Sequence, residues 1–212
     1  MKKSLLTAGL LVAVSIAVPR AGADIIYNSV TGFSGTQGAN GWSYAYKSYD
    51  VSLKDMSLAT YIGAGNYYQG DLGGGRTVYL TSTGQSVIEG NAVFSIRYWT
   101  ADQDYGRIRM TSSMTIGTGD YGAGIYLIDA ATSTVATLAT VWPKAGETQP
   151  LNAIATDIKT GDRICFMLQN AGGTPGSTSG ELQAWNQTVT VPEPAALSLL
   201  ALGGLVLARR RR

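Results

Sequence analysis

The chain has 212 residues, with 16 Lys or Arg, 14 Asp or Glu, one cysteine and no histidine. Those counts exclude an internal disulfide, a Ser-His-Asp triad, a Cys-His dyad and any histidine-ligated metal. The formal charge of +2 hides an asymmetry: positions 24–190 carry 9 basic and 13 acidic residues, a net of −4, with no Lys/Arg cluster. Such a body has no electrostatic footprint for nucleic acid or for an anionic membrane surface.

At the N-terminus, Lys2 and Lys3 precede a charge-free stretch from Ser4 to Pro19. Ala21 and Ala23 then place small residues where a signal peptidase reads. Residues 1–23 are expected to be a secretory signal helix, handled by the Sec export machinery and signal peptidase, with cleavage before Asp24. An uncleaved anchor is the competing reading, which the Ala-x-Ala site disfavours.

The body, residues 24–190, is long enough for one domain with a sizeable core. Gly, Ser, Thr, Tyr and Val are abundant, and no segment keeps helical periodicity. Period-two alternation predicts strands at Trp42–Tyr49, Arg76–Thr81, Ala92–Thr100, Arg107–Thr115, Gly124–Asp129, Thr134–Trp142, Leu151–Ile158, Arg163–Gln169 and Trp185–Val191. In Arg107–Thr115, Ile108, Met110, Ser112 and Met114 share one face, and Arg107, Arg109 and Thr111 the other. Turn residues separate these runs at Gly38–Gly41, Gly73–Gly75, Thr118–Asp120, Lys159–Asp162 and Ala171–Gly180. Tyr49–Tyr61 does not alternate and is expected to be a loop over one end, with a single helical turn. The expected fold is all-β: an antiparallel two-sheet sandwich.

Acidic residues must carry any catalysis or metal binding. Asp102 and Asp104 form the one close pair, in the loop Thr100–Gly106. They are a weak calcium candidate, because hard cations want clustered oxygens; a solvated turn is the plainer reading. Asp129 and Asp162 sit beside turn residues and are expected to organise those turns. Cys165 lies inside an apolar run and reads as a buried hydrophobe. No catalytic set and no cofactor are expected.

Aromatic residues leave binding open. Trp42, Tyr44 and Tyr46 share one face of a strand by the period-two rule, and Tyr67 and Tyr68 adjoin glycine-rich turns. Flat rings stack on sugars, so Tyr67, Tyr68 and Trp42 are the candidate ligand-binding residues. For Trp42 the core is the opposing expectation.

The tail, residues 191–212, joins Pro192-Glu193-Pro194 to 14 uncharged residues, Ala195–Ala208, and then to Arg209, Arg210, Arg211 and Arg212. As a helix the apolar run would span about 21 Å at 1.5 Å per residue. That is a minimal transmembrane helix against a hydrocarbon core of about 30 Å. The arginines would stay cytoplasmic, with the body on the far side.

These residues resemble the PEP-CTERM sorting signal of bacterial exported proteins. The resemblance implies recognition by an exosortase and removal of the tail near Pro192-Glu193-Pro194. It also implies transient anchoring in the inner membrane, then delivery to the cell surface or an exopolysaccharide matrix. The body, through Gln37–Tyr44, Phe94–Trp99, Ile108–Gly117, Ile125–Asp129, Gly161-Asp162-Arg163-Ile164 and Trp185–Val191, resembles jelly-roll domains of bacterial surface proteins. The expectation is an exported, non-enzymatic surface or matrix protein, structural or adhesive in a polysaccharide layer. A carbohydrate-binding module with an aromatic platform is the alternative, and a carboxylate-based extracellular glycoside hydrolase comes third.

Overall fold

Alternating side chains commit most of the chain to extended backbone, and turn residues break it into short strands. The computed structural model describes residues 24–73, 75–88, 93–117, 121–170 and 183–191. The expected signal helix with Ala21 and Ala23, the Pro192-Glu193-Pro194 triplet, the tail helix and Arg209–Arg212 lie outside the described residues, as do the turns at Thr118–Asp120 and Ala171–Gly180. Among the described residues no helix is long and apolar enough to cross a membrane.

The strands are β1 (Ile25–Asn28), β2 (Trp42–Ser48), β3 (Ser57–Leu58), β4 (Thr60–Ile62), β5 (Tyr67–Asp71), β6 (Thr77–Leu80) and β7 (Gly84–Ile88). They continue with β8 (Val93–Thr100), β9 (Tyr105–Thr115), β10 (Tyr121–Ile128), β11 (Val135–Val141), β12 (Thr148–Ile158), β13 (Arg163–Asn170) and β14 (Gln183–Val191). One sheet runs β12-β9-β14-β7-β6-β5-β4, with β1 also pairing β14; the other runs β11-β10-β13-β8-β2-β3. In the β1–β14 ladder Ile25 stands opposite Val191, and Asn28 opposite Thr188.

The inner faces meet in one core. Ile108, Met110 and Met114 of β9 are fully buried there, while Arg107 and Arg109 point to solvent, as alternation predicts. Trp42, Trp99, Phe166 and Trp185 fill the space between the sheets; Phe166 lies 5.9 Å from Trp42 and 6.2 Å from Trp185, centroid to centroid. Burying one such indole removes roughly 200 Å² from water, on the order of 5 kcal/mol at about 25 cal/mol per Å². The Nε1 atoms of Trp42, Trp99 and Trp185 have no hydrogen-bond partner among the described residues, which offsets part of that gain.

A second apolar cluster covers the outer face of the six-stranded sheet: Ala45, Phe94, Ile96, Tyr98, Cys165 and Met167, with Leu53 laid over them. This explains why Tyr49–Tyr61 does not alternate. Its first half is a loop draped across that face, with a 3-10 turn at Leu53–Asp55, and β3 and the start of β4 follow. Lys47 pins the loop by donating from Nζ to the carbonyls of Ser48 (3.0 Å) and Val51 (2.9 Å). Cys165 is buried in this cluster, and desolvation pushes its thiol up to about 12, which keeps it protonated and unreactive.

Acidic residues organise the turns. The Asp129 carboxylate accepts from the amides of Ala131 (2.9 Å) and Thr132 (2.8 Å), and Asp162 from those of Ala130 and Lys159, both at 2.8 Å. Asp104 accepts from the Thr160 amide (2.9 Å) and hydroxyl (3.0 Å), and pairs with Lys159 at 3.2 Å. Hydrogen bonds from the Thr132 backbone and from the Thr160 backbone hold Asp129 and Asp104, respectively, below the usual carboxylate range. A carboxyl whose pKa falls on folding contributes stability that is present above its unfolded pKa and lost as pH drops through the folded one. Melting temperature is therefore expected to fall from about pH 4 downward, and the fall to be shallower in Asp104→Asn. Parallel acid melts that superimpose for parent and variant would remove Asp104 from the explanation.

Candidate functional site

Two of the three aromatic residues proposed for a sugar platform belong to the core, and the pleat explains why. Trp42 is fully buried, and Tyr68 is buried with its ring stacked on Tyr44 at 4.2 Å. The Tyr68 hydroxyl is committed as a donor to the Ser34 carbonyl at 2.8 Å. Neither ring offers a face to a ligand. Tyr67, one position along β5, points to the opposite side, half-buried, with Tyr79 edge-on at 5.3 Å. The structure does not bring the three together.

The carboxylate pair is likewise divided. Asp104 is spent on the β12–β13 turn, whereas Asp102 accepts a hydrogen bond from the Tyr105 hydroxyl. Among the described residues no three or more His, Cys, Asp or Glu side chains gather to hold a metal.

Asp102 instead lines a cleft of about 440 Å³, together with Tyr27, Gly38, Asn40, Gly41, Trp99 and the Thr100–Ala101 backbone. Three elements build it. The Gly38–Gly41 turn enters β2 through left-handed backbone at Gly38 (φ 77°), Asn40 (φ 54°) and Gly41 (φ 78°). Glycine is needed at position 41 on two counts, since any Cβ there would also stand 2.9 Å from Cδ1 and Nε1 of Trp99. Gln37 secures the turn: its side-chain amide donates to the carbonyls of Tyr44 (2.8 Å) and Ala59 (2.9 Å), and its Oε1 accepts from the Tyr44 amide (2.8 Å).

The second element is the end of β8. Ala101 is locked to the β12–β13 turn, donating to the Asp162 carbonyl (2.9 Å) and accepting from the Gly161 amide (2.8 Å). The third is β1, which lays Tyr27 against Trp99 with ring centroids 5.2 Å apart. Tyr105 closes the base at 5.8 Å from Trp99. Burial, then the hydrogen bonds to Asp102 and Tyr27, raise the Tyr105 hydroxyl pKa, so that group acts as a donor and not as a base.

The cleft thus combines the half-buried Tyr27 ring, one carboxylate, one amide and turn backbone over the fully buried Trp99. It can hydrogen-bond hydroxyls and pack an apolar edge against Tyr27. Sequence reasoning found Asp102 but missed Tyr27 and Asn40. A four-residue strand beside the expected signal cleavage site gives little periodicity, and Asn40 reads only as turn chemistry.

Comparison with known proteins adds the following. Residues 190–212 match the PEP-CTERM protein-sorting motif, so the chain carries that signal. No curated protein matches the chain. Among solved structures it is similar to the CBM22-1–GH10 modules of Clostridium thermocellum endo-1,4-β-D-xylanase 10B with xylohexaose, at 16% identity and TM-score 0.36, over 71% of this chain and 26% of that one. It therefore spans about a quarter of that xylanase structure. It is also similar to the CBM22-2 xylan-binding domain of Paenibacillus barcinonensis Xyn10C, at 9% identity and TM-score 0.36, covering 69% and 98% of the two chains. TmCBM61 in complex with β-1,4-galactotriose gives 12% identity and TM-score 0.39, with 79% and 95% covered.

Proposed function

We propose that this is an exported, non-enzymatic protein of the cell surface or surrounding matrix, whose jelly-roll-like sandwich adheres to extracellular polysaccharide through the cleft at Tyr27, Asn40 and Asp102. The observation that carries the reading is the sorting motif over residues 190–212, which directs the chain to export. The cleft supplies what adhesion needs and lacks what hydrolysis needs. Glycoside hydrolysis uses two carboxylates roughly 5–9.5 Å apart across the scissile bond. Asp102 lines the cleft, while the Asp104 oxygens are engaged by Thr160 and Lys159 on a turn. The proposed partners are the Sec machinery, signal peptidase and exosortase during delivery, and polysaccharide afterwards.

The test is retention of the exported protein, purified as cells release it, on the producing cells' own immobilised exopolysaccharide. Combining Asn40→Ala with Asp102→Asn removes one amide from the cleft and neutralises its carboxylate, each change typically worth about 1–1.5 kcal/mol. Retention is expected to weaken by roughly tenfold or more, with no sugar released by parent or variant. Equal retention of parent and double variant would reject the cleft, and steady release of reducing sugar would reject the non-enzymatic reading.

A further inference from the structure

The platform that the sequence suggested in Tyr67, Tyr68 and Trp42 has a counterpart elsewhere. On β10 the outward positions are Gly122, Gly124, Tyr126 and Ile128, and each glycine lies beneath an aromatic ring. A Cβ on Gly122 would meet the Trp142 ring at 2.4 Å, and one on Gly124 would meet the Tyr126 ring at 2.4 Å. Both rings are therefore pressed onto bare backbone; Trp142 turns its other face toward solvent, and Tyr126 also packs against the outer apolar cluster. Trp142 is 54% exposed, whereas Trp42, Trp99 and Trp185 are at most 1% exposed. Tyr126 is half-buried. The two glycines are alternate residues of one strand, so the rings rest on beds roughly 6.6 Å apart.

Cross-strand neighbours complete the face. Gly122 stands opposite Gln169, and Gly124 lies between Thr140 and Met167. None of these is charged. Two partly exposed rings present on the order of 200–300 Å², far short of the roughly 800 Å² per partner of a stable protein interface. The surface is too small for a second copy of this chain, and its flat rings flanked by an amide and a hydroxyl suit a neutral sugar chain.

We propose that Trp142 and Tyr126, bedded on Gly122 and Gly124, form a second polysaccharide-binding surface that stacks on neighbouring pyranose rings of one extended glycan. The inference rests on the reading that the exported body meets polysaccharide, but on different residues. The cleft takes Gly41, just before β2, and Thr100 of β8, whereas the Gly122 row reaches Phe94 of β8 through Gln169 and the Gly124 row reaches Ile96 through Met167. Along the strand direction the two surfaces are therefore about 13–20 Å apart at roughly 3.3 Å per residue. One body could then hold two glycan strands and cross-link them.

Trp142 provides its own probe, because the other three tryptophans are shielded from aqueous quenchers. Acrylamide quenching of the exported protein is measured with and without cellohexaose, xylohexaose and mannohexaose. At least one hexaose is expected to lower the quenching constant twofold or more. Trp142→Ala is expected to abolish that protection and weaken retention on the producing cells' exopolysaccharide about tenfold; Trp142→Tyr should restore part of it. Gly122→Ala, which lifts the ring off its bed, should weaken retention while keeping an indole. If Gly122→Ala does not fold, the exposed Trp142→Ala still decides. No protection by any hexaose together with unchanged retention of Trp142→Ala overturns the platform. Concentration-dependent self-association that Trp142→Ala abolishes also overturns it, in favour of a protein contact. Loss of retention only in the Asn40→Ala/Asp102→Asn variant leaves the cleft standing and rejects the platform, and loss only in Trp142→Ala does the reverse.

Discussion

Replacing Arg97 with methionine is expected to cost about 3–5 kcal/mol, since hydrogen bonds from a charged donor contribute about 1.5–3 kcal/mol each and the relieved desolvation of the guanidinium offsets part of their loss. Arg97 lies fully buried between the sheets. Desolvation brings its guanidinium down to about 10, so it stays ionised at neutral pH although no carboxylate faces it among the described residues. Neutral oxygens hold it instead. Nη1 donates to Ser29 Oγ (2.9 Å) and Gln187 Oε1 (2.6 Å), and Nη2 donates to the carbonyls of Thr81 and Gly84. The network extends from Gln187 Nε2 to Gln85 Oε1 (2.9 Å) and from Gln85 Nε2 to Ser95 (3.1 Å).

Methionine would fill much of the volume but take a charged donor from four oxygens. Ser29 Oγ keeps the Gln187 amide, Gln187 Oε1 keeps the Ser29 hydroxyl and the Gly84 carbonyl keeps the Thr81 amide, so the loss falls hardest on the Thr81 carbonyl. For a body of this size the melting temperature should fall by roughly 6–20 °C, at about 2–4 °C per kcal/mol. Thermal melts of the exported protein measure this directly. Pairing Arg97→Met with Gln187→Met should deepen the loss, because Gln85 Oε1 then loses the Gln187 side-chain amide and Ser29 Oγ its acceptor. A single variant as stable as the parent would show that the oxygens find other partners.

The second large effect concerns delivery. Changing Pro192-Glu193-Pro194 to three alanines is expected to block tail removal almost completely. Intact mass should then retain the Arg209–Arg212 end, and the protein should shift from the surface or medium to the membrane fraction. The fold constrains where the parent can be cut. Thr190 and Val191 belong both to the sorting motif and to β14, and Val191 is fully buried opposite Ile25. A cut before Val191 would strip a core side chain, so the mature C-terminus should lie at Val191 or beyond. An alanine variant with parental mass and distribution would dissociate the triplet from processing.

Long strands with several large inward side chains were legible from sequence: β9 despite Ser112, β8 despite Ser95 and Arg97, and β14 despite Gln187. The short strands β5 and β7 were not. In β7 the inward Gln85 bonds Ser95 and Gln187 and breaks the hydrophobic alternation. In β5 the glycine at position 70 leaves room for the Tyr46 ring, where a Cβ would stand 2.3 Å away, so the strand reads as a turn. At the site level, Asp102 stood out because acids are scarce. The exposure of Trp142 and the burial of Tyr68 did not, because a shift of one residue in the pleat reverses which face a ring occupies.

The pairing of β1 with β14 joins the first strand of the body to the last. β14 also separates β9 from β7, so the eight-stranded sheet has a gap at its middle until residue 191 is in place. Under the proposed export from the N-terminus, that gap stays open until nearly all of the body has crossed the membrane, and the sheet completes only when its last strand arrives.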